Sequence, residues 1–163
     1  MKITVYHGAT ETIKTPVAEA GRPNLDFGRG FYVTDIRQQA IDWAKKVADK
    51  RKETAVLNVY SLDRDIILSH FRYKVFEHYD GEWLDFIVAS RIGMEPWKEY
   101  DYIEGGIAND RVVDTINLYI ADLITREKAL ERLSEHSPNN QMCLINQQVI
   151  DKHLEYDRTE QIH

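Results

Sequence analysis

Residues Leu25–Ala44, reading L-D-F-G-R-G-F-Y-V-T-D-I-R-Q-Q-A-I-D-W-A, constrain the fold of this chain more than any other stretch. Gly28 and Gly30 bracket Arg29 and admit backbone angles and close approaches that a side chain would forbid. Phe31, Tyr32 and Val33 have the composition of a strand, and Thr34 or Asp35 can cap a helix that starts there. Ile36, Gln39, Ala40, Trp43, Ala44 and Val47 then recur at helical spacing, so an amphipathic helix is expected from Asp35 to about Lys52. The reading is turn, strand, helix, with Tyr32 and Trp43 near one rim. A plainer account stays open, since glycine turns before helices are common and a strand tyrosine is usually a core residue with its hydroxyl at the edge.

The stretch has an upstream companion. Ile3-Thr4-Val5-Tyr6-His7-Gly8 alternates as a strand does and ends in a histidine followed at once by glycine. Ala9–Asn24 is polar, carries Pro16, Gly21, Arg22 and Pro23, and reads as a functional-length loop. Further on, Thr54–Leu62 is a strand with mixed faces, as in a sheet packed on one side, and Ile66-Ile67-Leu68 reads as a short strand or turn. Asp80 caps a helix over Gly81–Ile92 with an apolar stripe of Trp83, Leu84, Ile87 and Val88. Tyr100–Ala108 is a strand bent at Gly105-Gly106; Asn109 or Asp110 caps the next helix and Thr125 the one after. Ser137–Asn140 is a turn into the strand Gln141–Ile145, and Gln147–Leu154 suits strand or helix equally.

Length and composition set the bounds. The 163 residues suit one domain, 1–163, with a substantial core, and 43% hydrophobic with 29% charged residues is ordinary for a globular chain. A net charge of −6 argues against a surface that coats nucleic acid, and the basic cluster Lys45, Lys46, Lys50, Arg51 and Lys52 is most simply a solvated helix end. One cysteine, Cys143, excludes an internal disulfide and fits a reducing compartment. No apolar run approaches the roughly 18 residues of a membrane span, and Met1-Lys2 leads directly into a strand, so a cytoplasmic location without membrane contact is expected.

Taken in order, Tyr6-His7-Gly8, Gly28-Arg29-Gly30-Phe31-Tyr32, an aromatic eleven positions after Tyr32, and Asn140-Gln141 opening a late strand form a pattern. It resembles the ADP-ribosyltransferase superfamily, in the His-Tyr-Glu branch of diphtheria toxin and the poly(ADP-ribose) polymerases. The whole chain, through Ala108-Asn109-Asp110-Arg111 to the Asn-Asn-Gln strand, is also similar to a bacterial family of unknown-function domains assigned to that superfamily and often encoded beside a small partner gene. The resemblance implies an α+β fold, a split sandwich of two small antiparallel sheets with peripheral helices. It implies NAD as co-substrate, transfer of ADP-ribose to a macromolecular acceptor, and the role of toxin beside a small cognate antitoxin; no metal is called for.

The residue roles also follow from the resemblance. His7, Tyr32 and Gln141 occupy the catalytic positions, and Tyr6, His7, Gly8, Arg29, Gly30, Tyr32 and Trp43 the NAD-binding ones. Cleaving the nicotinamide–ribose bond builds an oxocarbenium-like centre that a site must grip and stabilise. Tyr32 and Trp43 would stack on the nicotinamide ring, Gly8 would offer its backbone to the carboxamide, and His7 would bond the adenosine ribose. Arg29 and Arg22 are candidates for the pyrophosphate. Gln141 stands where the family pattern has a glutamate, so three outcomes are open. A substrate group completes the site, another acid such as Glu104 or Asp110 substitutes, or the domain binds NAD without turnover; plain NAD hydrolysis is a further alternative.

Overall fold

The structure is a computed structural model and describes residues 1–110 and 112–163; Arg111, named above, lies outside them. Seven strands and six α-helices are found among these residues. In order they are β1 (Ile3–Ala9), β2 (Phe31–Val33), α1 (Arg37–Arg51), β3 (Val56–Leu62), α2 (Arg64–His70), β4 (Tyr73–Phe76), α3 (Gly81–Arg91), β5 (Tyr102–Gly105), α4 (Val113–Ile120), α5 (Arg126–Leu133), β6 (Gln141–Leu144), α6 (Gln147–His153) and β7 (Leu154–Gln161).

The strands form two sheets, ordered β1-β3-β7 and β2-β6-β5-β4. Where β1 and β2 meet, Tyr6 and Thr34 exchange backbone hydrogen bonds of 2.8 and 2.9 Å. Between the sheets lies a core that includes Val5, Phe31, Val33, Tyr60, Leu62, Tyr102, Met142 and Leu144. The far face of the second sheet, carrying Ile103 and Cys143, is covered by Trp83, Leu84 and Ile87 of α3, Ile116 of α4, and Ala129 and Leu133 of α5. The far face of the first sheet is covered by α1 through Ala40, Ala44 and Ala48. The expected α+β architecture of two small packed sheets with flanking helices is therefore present. One pair departs from the antiparallel expectation: β4 and β5 run parallel, because the long crossover through α3 returns the chain in the same direction.

Local expectations fare unevenly, for physical reasons. Asp80 accepts the Trp83 amide at 3.0 Å and Thr125 the Lys128 amide at 3.1 Å, so both capped helices start as their sequences indicate. For α1 the cap and the buried stripe both differ. Thr34 Oγ1 accepts the amide of Ile36, ahead of the first turn, and Ile36 itself is the residue at the cap position. The inward face is the alanine row, while Ile36 and Trp43 are left 41% and 50% exposed. The cause is Gly8: a Cβ there would overlap the Ala40 carbonyl oxygen, so α1 packs backbone against backbone and only small residues fit its inner face.

Ile66–Leu68 lies within α2 and is not a strand; Ile67 is fully buried, Leu68 packs partly buried against the intersheet core, and Ile66 faces outward. β3 is covered on both faces, so its central Asn58 is fully buried too. Asn58 at its centre bonds Glu11 O and accepts from Ile13 N, and with Tyr60 OH on Ile13 O it straps the 9–24 loop to the sheet. Of Gln147–Leu154, Gln147–His153 forms α6, whose cap is Asn146 on the Gln148 amide, and Leu154 opens β7. β7 carries no apolar alternation that would mark it; its charged residues suit an edge strand.

Candidate functional site

His7, Phe31 and Tyr32 come together where the two sheets adjoin. The His7 ring stacks on Phe31 with centroids 4.4 Å apart, and its Nδ1 lies 2.6 Å from the Tyr32 carbonyl oxygen. A carbonyl can only accept, so Nδ1 carries the proton and Nε2 is left as an acceptor. Burial holds the imidazole below its ordinary value, with the hydrogen bond to Tyr32 working the other way. The neutral ring is thus the stable form near neutral pH. Tyr6 and Gly8, on the alternate face of β1, turn toward α1, where Tyr6 packs against the cluster of Ala40, Leu57 and Val59.

Tyr32 is fixed at both ends. Its ring packs into the helix-covered cluster, and its hydroxyl donates to Gly28 O at 2.8 Å and accepts the Phe27 amide at 3.1 Å. Burial, with the neighbouring Cys143 adding to it, pushes the phenol well above its usual range, so it acts as a neutral group. Gly28 holds φ +86°, and a side chain there would run into the Trp97 ring, which explains that glycine. Gly30 is equally confined, against Cys143 Sγ and Leu144 O. The glycine bracket therefore shapes the loop that clasps the Tyr32 hydroxyl.

Gln141 opens β6. Tyr32 pairs with Cys143 and Val33 with Met142, so the ladder continued by one residue sets Thr34 opposite Gln141. Alternation places Gln141 on the same face as Cys143 and Tyr32. Its Oε1 is buried and accepts no hydrogen bond among the described residues. Beside it, the Asn140 carbonyl accepts from Thr34 Oγ1 at 2.6 Å and from Gln39 Nε2 at 2.9 Å, and the Asn140 side chain donates to Asp35. β2, α1 and β6 are thereby clamped at one point. Sequence reasoning assigned no such role to Gln39 or Thr34; a helix glutamine reaching a distant backbone leaves no local signal.

The other candidates lie further out. Trp43 is exposed on α1, with Lys46 Nζ 5.9 Å from its ring centroid, and it makes no ring contact with Tyr32 among the described residues. It is not a core tryptophan. Lys46 in turn bonds exposed Asp110 at 3.1 Å, which brings the loop after β5 alongside this face of α1. Glu104 points away from Tyr32, toward the intersheet side, and is 8% exposed. There it takes a two-point contact from Arg64 at 2.7 and 2.8 Å and a 2.5 Å bond from the Tyr102 hydroxyl. Arg29 lies at the opposite end of β2, beside a hollow lined with Trp97, Lys98 and Ile145; Arg22 is exposed.

Comparison with known proteins bears on this arrangement. A family model described as a protein of unknown function, DUF3990, matches residues 3–156. The chain belongs to that family. No curated protein and no solved structure matches it. The match to DUF3990 takes in His7, Tyr32, Trp43 and Gln141 and reaches Tyr156 in β7, so the family is defined over both sheets. None of the described helices is long and apolar enough to cross a membrane.

Proposed function

We propose that this chain is an NAD-dependent ADP-ribosyltransferase acting on a macromolecular acceptor, as the toxin of a two-gene module with a small cognate antitoxin. The observation that carries the reading is the junction of the sheets: a neutral His7 held on the Tyr32 carbonyl, with Tyr32 and Gln141, whose Oε1 has no partner among the described residues, on one face of β2 and β6. His7 Nε2 accepts from a ribose hydroxyl. Tyr32 forms one wall against nicotinamide, and Trp43, half-exposed on α1, supplies the other. The Gln141 amide bonds the ribose bearing the reacting carbon. The C1′–N bond breaks with its electron pair leaving on nicotinamide, an acceptor nucleophile bonds C1′, and its proton is lost to solvent.

A second reading has an observation of its own. A glutamine supplies no negative charge to an oxocarbenium, a deficit of about 3 kcal/mol if one electrostatic partner is missing. Glu104 is committed to Arg64 and Tyr102 on the other face, and Asp110 is bound by Lys46 at the surface. Binding of NAD without turnover follows if no acceptor group completes the site. Incubation with labelled NAD and a cell lysate separates the two. Label transfer that His7→Ala and Tyr32→Ala abolish supports the transferase; saturable NAD binding with neither transfer nor nicotinamide release sinks it. Gln141→Glu then raises turnover about 100-fold, the equivalent of that deficit.

A further inference from the structure

Gln141 Oε1 has no partner among the described residues, so no bond to that atom fixes where the side chain points. Its direction is set by the backbone from which it leaves. On one side Gln141 pairs with Gly105 of β5, but the ladder to β2 has Val33–Met142 as its last pair, one residue short of Gln141. On that side a side chain of α1 takes the place of a strand. Gln39 Nε2 donates to the Asn140 carbonyl at 2.9 Å, and Gln39 Oε1 accepts the Asn140 amide at 3.3 Å. A primary amide offers the donor and the acceptor that a peptide group does, so Gln39 serves Asn140 as a paired strand residue would.

We infer that Gln39 is a positioning residue for Gln141, setting the backbone from which the Gln141 side chain enters the proposed site. The Asn140 carbonyl and the Gln141 nitrogen belong to one planar unit and the Asn140 nitrogen to the unit before it, so a side chain bonded to both holds the two soft dihedrals of Asn140. Thr34 Oγ1 shares the carbonyl at 2.6 Å, but a bond to that oxygen alone leaves the preceding unit free to turn. Gln39 also stands one turn before Trp43 on the same side of α1, so the clamp ties the start of β6 to the stretch of helix that carries Trp43. The consequence for turnover rests on the transferase reading; the consequence for the Gln141 side chain does not.

Two variants of the full chain test this: Gln39→Leu, which keeps the bulk and loses both bonds, and Gln39→Glu, which when ionised keeps the acceptor and loses the donor. The first readout is NMR of the Gln141 side-chain NH2 signals, identified by their absence in Gln141→Ala. Both variants are expected to move these signals toward those of a free glutamine. Signals unmoved in either variant, with its fold verified by circular dichroism, overturn the inference whether or not NAD is turned over. The second readout is nicotinamide release from NAD in the presence of cell lysate. In Gln39→Leu the saturated rate is expected to fall about 10-fold while the half-saturating NAD concentration changes by less than about 3-fold. The same substitution placed in Gln141→Ala is expected to change the rate by less than about 2-fold, because the residue through which Gln39 acts is already gone. An unchanged rate in Gln39→Leu, or an equal loss in both backgrounds, overturns the positioning role. A parent chain that neither binds NAD nor releases nicotinamide sinks the transferase reading alone, and the NMR signals then decide the part played by Gln39.

Discussion

Replacing Gly8 by alanine tests the packing on which the placement of His7 depends. A Cβ at residue 8 would overlap the Ala40 carbonyl oxygen and lie 2.9 Å from Ala44 Cβ and 3.0 Å from Ala44 N. Two of these three obstacles are backbone atoms, which no rotamer change can move. Overpacking typically costs about 1–3 kcal/mol, and an obstacle of this kind belongs at the upper end, about 3 kcal/mol. For a chain of this size each kcal/mol lowers Tm by roughly 2–4 °C, so Gly8→Ala should melt roughly 6–12 °C below the parent. Gly93→Ala is the control. Gly93 has φ +89°, but the nearest atom to a new Cβ is Asn24 Oδ1 at 4.0 Å, so backbone strain alone remains, about 1 kcal/mol or roughly 2–4 °C. Thermal melts followed by circular dichroism read both. A Gly8→Ala chain that melts no lower than Gly93→Ala would show that α1 does not bear on β1 as closely as described, and the reasoning about His7 would go with it.

Two further outcomes are expected. Because burial lowers the His7 value in the folded chain, the unfolded chain takes up the proton first as pH falls; the stability tied to His7 is complete above the unfolded value of about 6.5 and declines below it. Urea midpoints at several pH values between 7.5 and 5 should therefore fall more steeply for the parent than for His7→Asn, by at most about 1.4 kcal/mol per pH unit, and parallel curves would refute the assignment. Glu104→Gln leaves Arg64 and the Tyr102 hydroxyl with a weaker partner, and since Arg64 is about one-third exposed the loss is nearer about 2 kcal/mol than the cost of breaking a fully buried pair. If Glu104 is structural, NAD turnover by the folded variant is unchanged; abolished turnover would make it the substitute acid.

The parts of the fold that sequence reveals are those decided within a few residues. Asp80 and Thr125 announce their helices because a cap is a local hydrogen bond. The strand ending in His7-Gly8 and the turn, strand and helix from Gly28 are readable because glycines and alternation leave marks. The alanine face of α1 is set by a glycine about thirty residues away; spacing alone groups Ala40 and Ala44 with Ile36 and Trp43 and does not say which of them turn inward. β7 is a strand because β3 offers an edge, which nothing in L-E-Y-D-R-T-E-Q declares. The candidate site follows the same division. Its glycines, histidine and tyrosine were legible as a pattern, whereas the Gly28 clasp on Tyr32 and the Gln39 clamp on Asn140 exist only once distant segments meet.

The position of β6 has a consequence for how the chain is made. β6 lies between β2 and β5, and β2 has no other ladder partner. A nascent chain that has emerged as far as Asn140 therefore holds β2 with no ladder partner beyond the single Tyr6–Thr34 bridge at its end, β5 with one open edge, and β3 still lacking β7. Neither sheet can be completed during elongation of the first 140 residues, and the second sheet closes by insertion of a late strand into its middle rather than by addition at its rim. The face that carries Tyr32 and Gln141 thus comes into being in a single late step, so that a fragment released early from the ribosome has no assembled site at all.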